Sequence, residues 1–305
     1  NQRLLLVERK TDDAKYIPVY AAILSRVGMS PQYREEALEA LVKLRESDAV
    51  NILIEAIGKL DAKDRDEART ARQLASMLLK QPTETLESQV DAIEQAADDD
   101  NALLRSVAYA ALVGAGKPEQ AIDRSANSNE DSLAFLGSVE LVPNAKNRTQ
   151  LREQVVELLS ASSDDAVRRA AAKALGFIRE NQDNSFELLA PLFQDANVRD
   201  AAVRSMLKVP AGKRGETASI AIVNAWVDQA DTTPACDRTI PPLIDSMQLA
   251  DQLMASVTSQ HEKVFRLRLD AVTVRVVRLK PVEEEMRYDT PYFSVQAGKS
   301  VQIVL

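Results

Sequence analysis

Side chains able to do covalent or metal chemistry are scarce in this chain of 305 residues, which has one histidine, His261, and one cysteine, Cys236. Zinc sites draw on several Cys and His ligands at once, so such a site is excluded, as is a disulfide within the chain. His261 lies in a Gln-His-Glu-Lys stretch without a second ligand nearby and reads as a solvated linker residue. Cys236, between Pro234 and Asp237, reads as a half-buried loop thiol. The runs Asp98-Asp99-Asp100 and Glu283-Glu284-Glu285 carry charge that attracts calcium but lack the alternating spacing of a calcium loop. They read as helix-capping or solvated runs. Trp226 is of a residue type common at binding hot spots, but packing against Ile220 and Ile222 accounts for it. No Gly-rich phosphate loop, Ser-His-Asp set or carboxylate pair stands out. The expected catalytic, cofactor-binding and metal residues are therefore none.

A recurring arginine is more informative. An apolar or bulky residue is followed by Arg, then by a small residue at plus four and an apolar one at plus eight. Tyr33-Arg34…Ala37…Leu41, Leu104-Arg105…Ala108…Leu112, Val167-Arg168…Ala171…Leu175 and Val198-Arg199…Ala202…Met206 all fit. Ala71-Arg72…Ala75…Leu79 fits with a small first residue, and Leu133-Ala134…Gly137…Leu141 is a degraded copy without the Arg. The plus-one positions 34, 72, 105, 134, 168 and 199 step by 38, 33, 29, 34 and 31 residues. Offsets 0, 4, 7 and 8 share one face at 3.6 residues per turn, and a small plus-four residue lets helices approach closely. Burying three large side chains per helix, at ~1.5–3 kcal/mol each, would dominate the stability of a unit. No unit can bury that face alone, so stacked helix pairs are expected. The Arg lies beside the stripe and is expected to pair with an acidic residue of the adjacent repeat, forming a ladder. A basic groove for anionic partners is the alternative, disfavoured by Glu35-Glu36, Asp164-Asp165 and Asp200.

Composition agrees with a helical array. Aromatics are 4% and Gly is scarce, a helix-forming bias. A net charge of −8 argues against a general phosphate-binding surface, so no nucleic-acid partner is expected. No apolar run approaches the ~20 residues of a membrane span. Both ends read as cuts rather than natural boundaries, and no signal-peptide pattern is present.

The elements that carry the motif follow from caps and periodicity. Residues 1–10 end an upstream element or begin the first helix. Helices are predicted over 15–27, 30–45, 47–60, 64–79, 83–97, 102–113, 117–130, 132–141, 149–160, 165–179 and 185–193, then from 198 to 210, over 216–229 and over 242–257. Ser30-Pro31, Ser47-Asp48 and Ser162-Ser163-Asp164-Asp165 supply N-terminal signals. The array thus occupies 11–257, with a linker and strands over 258–305. Val272, Val274 and Val276 alternate with Thr273, Arg275 and Val277, a strand period. Phe293-Ser294-Val295 and the residues from Val301 to Leu305 repeat it around Ala297-Gly298, giving a three-strand start to a β domain.

The period, the paired helices and the Asp-Ala-Val-Arg-Arg-Ala-Ala-Ala-Lys-Ala-Leu-Gly string at 165–176 resemble HEAT repeats of the short bacterial kind. The Trp-Leu-Gly-Tyr pattern of tetratricopeptide repeats and the Thr-Pro-Leu-His of ankyrins are missing. Met286-Arg287-Tyr288-Asp289 and a Val-x-Ala-Gly-Lys-x-Val-x-Ile hairpin over 295–303 resemble the opening strands of an azurin/plastocyanin-type cupredoxin. The combination resembles large secreted proteins of planctomycete-type bacteria, where a HEAT array joins a copper-binding domain, sometimes with haem-binding modules. Copper is implied by that resemblance for the remainder of the β domain. No His or Cys lies between Val264 and Leu305, so no ligand carries over.

The expected fold is mainly α, a right-handed α-solenoid of about seven HEAT-like helix pairs with a short, incomplete cupredoxin-like β region. The expected function is a non-catalytic protein-interaction scaffold in a secreted or periplasmic protein related to electron transfer, its protein partners unknown. A cytosolic adaptor with a β cap is the alternative. A chromophore lyase of the short-HEAT kind would need an acid/base or nucleophilic cluster that the sequence does not display.

Overall fold

A computed structural model describes residues 1–61, 63–282, 287–290 and 292–304. The Glu283-Glu284-Glu285 run, Met286 and Leu305 lie outside the described residues. Two compact units divide the chain, Asn1–Ile178 and Arg179–Leu305.

The first unit is helical. It opens with α1 (Gln2–Leu5), α2 (Ile17–Ser25), α3 (Pro31–Arg45), α4 (Ala49–Gly58) and α5 (Arg65–Leu78). Next come α6 (Thr83–Glu87), α7 (Val90–Ala97), α8 (Ala102–Gly114) and α9 (Pro118–Ser125). It closes with α10 (Asn129–Leu141), α11 (Ala145–Gln150), α12 (Arg152–Ala161) and α13 (Asp165–Leu175). The pairs α2–α3, α4–α5, α7–α8, α9–α10 and α12–α13 are each in contact. The helix bearing the sequence motif is the second of each pair. These second helices form one layer, with α5 touching α8, α8 touching α10 and α10 touching α13. First helices form the other, α2 against α4 and α4 against α7.

Local chemistry explains where the motif helices begin. Asp64 accepts the backbone N–H of Asp66 and Glu67, each at 2.9 Å, at the head of α5. Asn101, Ser128 and Asp164 cap α8, α10 and α13 in the same manner. Each satisfies N–H groups that the first turn leaves without a partner. Ser30 and Pro31 take the expected N-cap and N1 places of α3, but the Ser30 hydroxyl makes no capping bond.

The plus-four residues sit where the layers close up. Ala37, Ala75, Ala108, Ala171 and Ala202 are all buried. At the degraded copy, a Cβ added to Gly137 would lie 2.7 Å from the Ser106 hydroxyl of α8, so this crossing is tighter than an alanine allows without movement. Position zero is less uniform than the periodicity predicts: Leu104, Val167 and Val198 are buried, but Tyr33 and Leu133 are exposed. α8 is apolar nearly all round and is buried accordingly.

The second unit continues the scheme with α14 (Gln182–Leu189), a 3-10 turn (Ala190–Gln194), α15 (Arg199–Met206), α16 (Glu216–Thr232) and α17 (Pro241–Leu253). The helix α18 (Ser259–Val272) comes last. Here α15 packs on α17, while the 3-10 turn and α18 both pack on α16.

Two expectations are corrected in this unit. Residues 259–272, read as linker and incipient strand, form α18, which buries Phe265, Leu269 and Val272 at spacings of four and three. That helical stripe overrides the apparent alternation of valines. Among the described residues, the β structure is two short strands, β1 (Arg275–Arg278) and β2 (Val301–Val304), paired in parallel with Arg275 opposite Val301. Phe293-Ser294-Val295 is not a strand, so the hairpin expected over 295–303 does not form. A parallel pair cannot be joined by a tight turn, which is the connection a hairpin needs. The described residues thus form two strands rather than three, and a cupredoxin-like sandwich is not confirmed.

Candidate protein-interaction surface

The plus-one arginines have several different partners. Arg105 of α8 reaches Glu130 of α10, in the next repeat, at 3.0 Å, as the ladder requires. Arg168 instead turns back to Asp165 in its own helix at 3.1 Å. Arg34 is 1% exposed and donates to the carbonyls of Leu24 and, at 2.7 Å, Arg26, at the end of α2. Arg199 donates to the Phe193 carbonyl and lies over the Phe193 ring, 5.6 Å from its centroid. Arg72 is exposed and has no ion pair among the described residues. The expected continuous ladder is corrected: Arg105 makes an inter-repeat ion pair, whereas Arg34 and Arg199 donate to backbone carbonyls.

The physical reason is that helix C-termini are the stronger attractor. The last carbonyls of a helix have no intrahelical partner and carry partial negative charge. Arginines outside the motif exploit the same feature. Arg214 donates to Val209 at 2.9 Å just beyond α15. Arg238 donates to Thr233 at the end of α16 (2.8 Å) and to Val272 at the end of α18 (3.0 Å). Burial lowers the pKa of Arg34 and Arg214 from the ordinary arginine value, the expected penalty for a guanidinium moved out of water.

A polar cluster, buried at Tyr109 and open to solvent at Ser128, joins α8 to α10. The Tyr109 hydroxyl donates to Asp131 at 3.1 Å, and the Ser128 hydroxyl donates to the same carboxylate at 2.7 Å. Burial, then the Asp131 charge, pushes the phenol well above its ordinary value. Tyr109 is fully buried, so its hydroxyl helps fix the approach of the two helices.

Residues singled out by type are scattered. His261 lies in the first turn of α18, stacked on Phe265 with ring centroids 6.0 Å apart, 3.5 Å from Glu216 and 3.1 Å from the Thr258 hydroxyl. It is a helix residue rather than a linker one. Cys236 is exposed rather than half-buried. Trp226 is 1% exposed within α16, as a packing role requires. Asp98 pairs with Arg124, Asp99 accepts the Asn101 N–H at 2.7 Å and Asp100 faces solvent, so the run is divided among separate tasks. No cluster of metal-binding side chains occurs among the described residues.

A groove of about 1320 Å³ in the first unit was not legible in the sequence. Leu4, Ala22, Leu41, Ile52 and Leu60 line it, and Arg45, Glu55 and Lys59 stand at its rim. It exceeds the ~300–1,000 Å³ typical of small-molecule sites and suits a peptide segment better. At the rim Glu55 accepts from Lys59 and, at 2.6 Å, from Arg45. Those two hydrogen bonds, Lys59's first, hold its carboxyl below the usual glutamate value despite some desolvation.

Comparison with known families agrees with this geometry. Residues 131–231, from α10 into α16, match the family of HEAT repeats. Residues 33–59, α3 and α4, match the family of the PBS lyase HEAT-like repeat. The chain carries HEAT repeats. No curated protein matches it. HEAT repeats suit protein interaction, and no helix among the described residues is long and apolar enough to cross a membrane.

Proposed function

We propose that this chain is a non-catalytic scaffold whose HEAT helix pairs present their outer faces to protein partners. The observation that carries the reading is the layered packing of motif helices, α8 on α10 on α13, which buries α8 and leaves Asn129, Glu130 and Glu140 of α10 and Arg169 and Lys173 of α13 exposed. The peptide-sized groove beside α2 and α4 supports it. The test is in-cell cross-linking with mass spectrometry on the intact protein. Reproducible cross-links from one partner to outward positions of the motif helices are expected. Turnover of a small substrate, abolished by a single side-chain change, would overturn the reading.

The finer part of the proposal is that the array positions a copper-binding, cupredoxin-like domain in a secreted or periplasmic protein related to electron transfer. It rests on the sequence resemblance of residues 272–305. Cell fractionation and copper analysis of the protein purified from its source test it. Export together with stoichiometric copper is expected, whereas a copper-free cytosolic protein would favour an adaptor with a β cap.

A further inference from the structure

We infer that the outer face of α5 is a docking ridge for an acidic segment of a partner protein. Arg65, Arg69 and Arg72 follow one another at spacings of four and three, so they stand in one row along the helix. Ser76 extends the row by four residues, Lys80 lies in the turn just beyond the end of α5, and all five side chains are exposed. None of the four cations has an ion pair among the described residues. Arg72 is the departure that gives the row meaning: it occupies the place in the repeat where Arg34, Arg105, Arg168 and Arg199 are all engaged in holding the fold.

The acidic groups nearest in sequence do not quench the row. Asp64 is committed to the helix N-terminus, accepting from Asp66 and Glu67 at 2.9 Å each. Glu67 accepts the Asp61 N–H at 2.8 Å, and Asp66 makes no ion pair among the described residues. Like charges one turn apart oppose helix formation, so the row is costly to the fold and gains nothing from a neighbouring helix. A partner's carboxylates would supply the missing counter-charges.

The chemistry of that partner is constrained. The chain has a net charge of −8, and α3 exposes Glu35, Glu36 and Glu39, so an extended polyphosphate would meet repulsion beyond one short basic row. A membrane surface is disfavoured because the large apolar residues Leu74 and Leu78 of α5 are buried and no large apolar side chain stands exposed in the row. A protein segment with carboxylates at matching helical spacing satisfies both constraints.

This inference rests on the scaffold reading, and the experiment separates the two. The intact chain is titrated with a labelled glutamate-rich peptide of about four helical turns, and with a single-stranded oligonucleotide of equal charge. The triple variant Arg65→Glu, Arg69→Glu, Arg72→Glu is titrated alongside, with circular dichroism confirming its helix content. Saturable peptide binding, weakened about tenfold or more in the variant and by added salt, is expected. Equal peptide binding by both proteins, or stronger binding of the oligonucleotide, would overturn the ridge. If the variant loses helix content, Arg65→Gln with Arg72→Gln replaces it under the same criteria. Cross-linked partners that persist unchanged in a folded variant would remove the ridge and leave the scaffold standing. An intact protein with no partner at all would remove the scaffold itself.

Discussion

Arg105 and Glu130 join two successive repeats through an ion pair of 3.0 Å, yet the Glu130 side chain is 75% exposed. Water competes for such a pair, so its net worth is small, in the range of ~0.2–1 kcal/mol for exposed pairs. Glu130→Ala is expected to shift the denaturant midpoint only slightly, with a double-mutant cycle against Arg105→Ala giving a coupling below about 1 kcal/mol.

Arg34 is the contrasting case. Removing it leaves the Leu24 and Arg26 carbonyls without the guanidinium that satisfies them, in a site that is 1% exposed. Arg34→Ala should therefore cost about 2 kcal/mol or more in equilibrium unfolding. Arg34→Lys should not restore it, because one ammonium cannot reproduce the two-pronged donation. A fully stable Arg34→Lys would show that packing of the stem, not the carbonyl bonds, matters.

The small plus-four residues predict intolerance to bulk. Ala171 of α13 is fully buried, and Ala171→Leu should destabilise by about 1–3 kcal/mol through overpacking. Ala166→Leu on the exposed side of the same helix should leave thermal unfolding nearly unchanged.

Glu55 makes the stability depend on pH. Its carboxyl sits below the ordinary value of 4.5 in the folded state, chiefly through the Lys59 hydrogen bond and then the Arg45 one. A lowered folded-state pKa contributes stability that is fully present above the unfolded value and lost as pH falls through the folded one. Comparing wild type with Glu55→Gln, the wild-type advantage should be constant above about pH 5 and shrink steadily under acid. A difference that stays flat down to acid pH would contradict the assignment.

Phe265 tests whether residues 259–272 are a packed helix. With 5% of its surface exposed, Phe265→Ala should cost about 3–5 kcal/mol and Leu267→Ala, at an exposed position of the same helix, almost nothing. Equal, negligible effects would return the segment to the status of a linker.

Much of the helical layout was legible because it follows from local rules. Asp48, Asp64 and Asp164 announce α4, α5 and α13 by capping, and the Ala37-to-Ala202 series marks the layer contacts. α18 was hidden for two physical reasons. Its Thr258 N-cap makes no side-chain bond to the backbone, and Val272, Val274 and Val276 imitate a strand across a helix end. The arginine partners were illegible because a carbonyl at a helix terminus leaves no residue type to read. Leu24, Phe193 and Thr233 accept through the backbone alone. The unquenched row on α5 could have been found from Arg65, Arg69 and Arg72, whose helical spacing is plain, but their lack of counter-ions is a property of the folded surface.

Arg238 binds the carbonyl ends of α16 and α18 at once, immediately before the chain enters β1. One guanidinium thus fastens the last turns of two helices to each other at the point where the chain leaves its helical part, so the strands begin from a carbonyl already held in place.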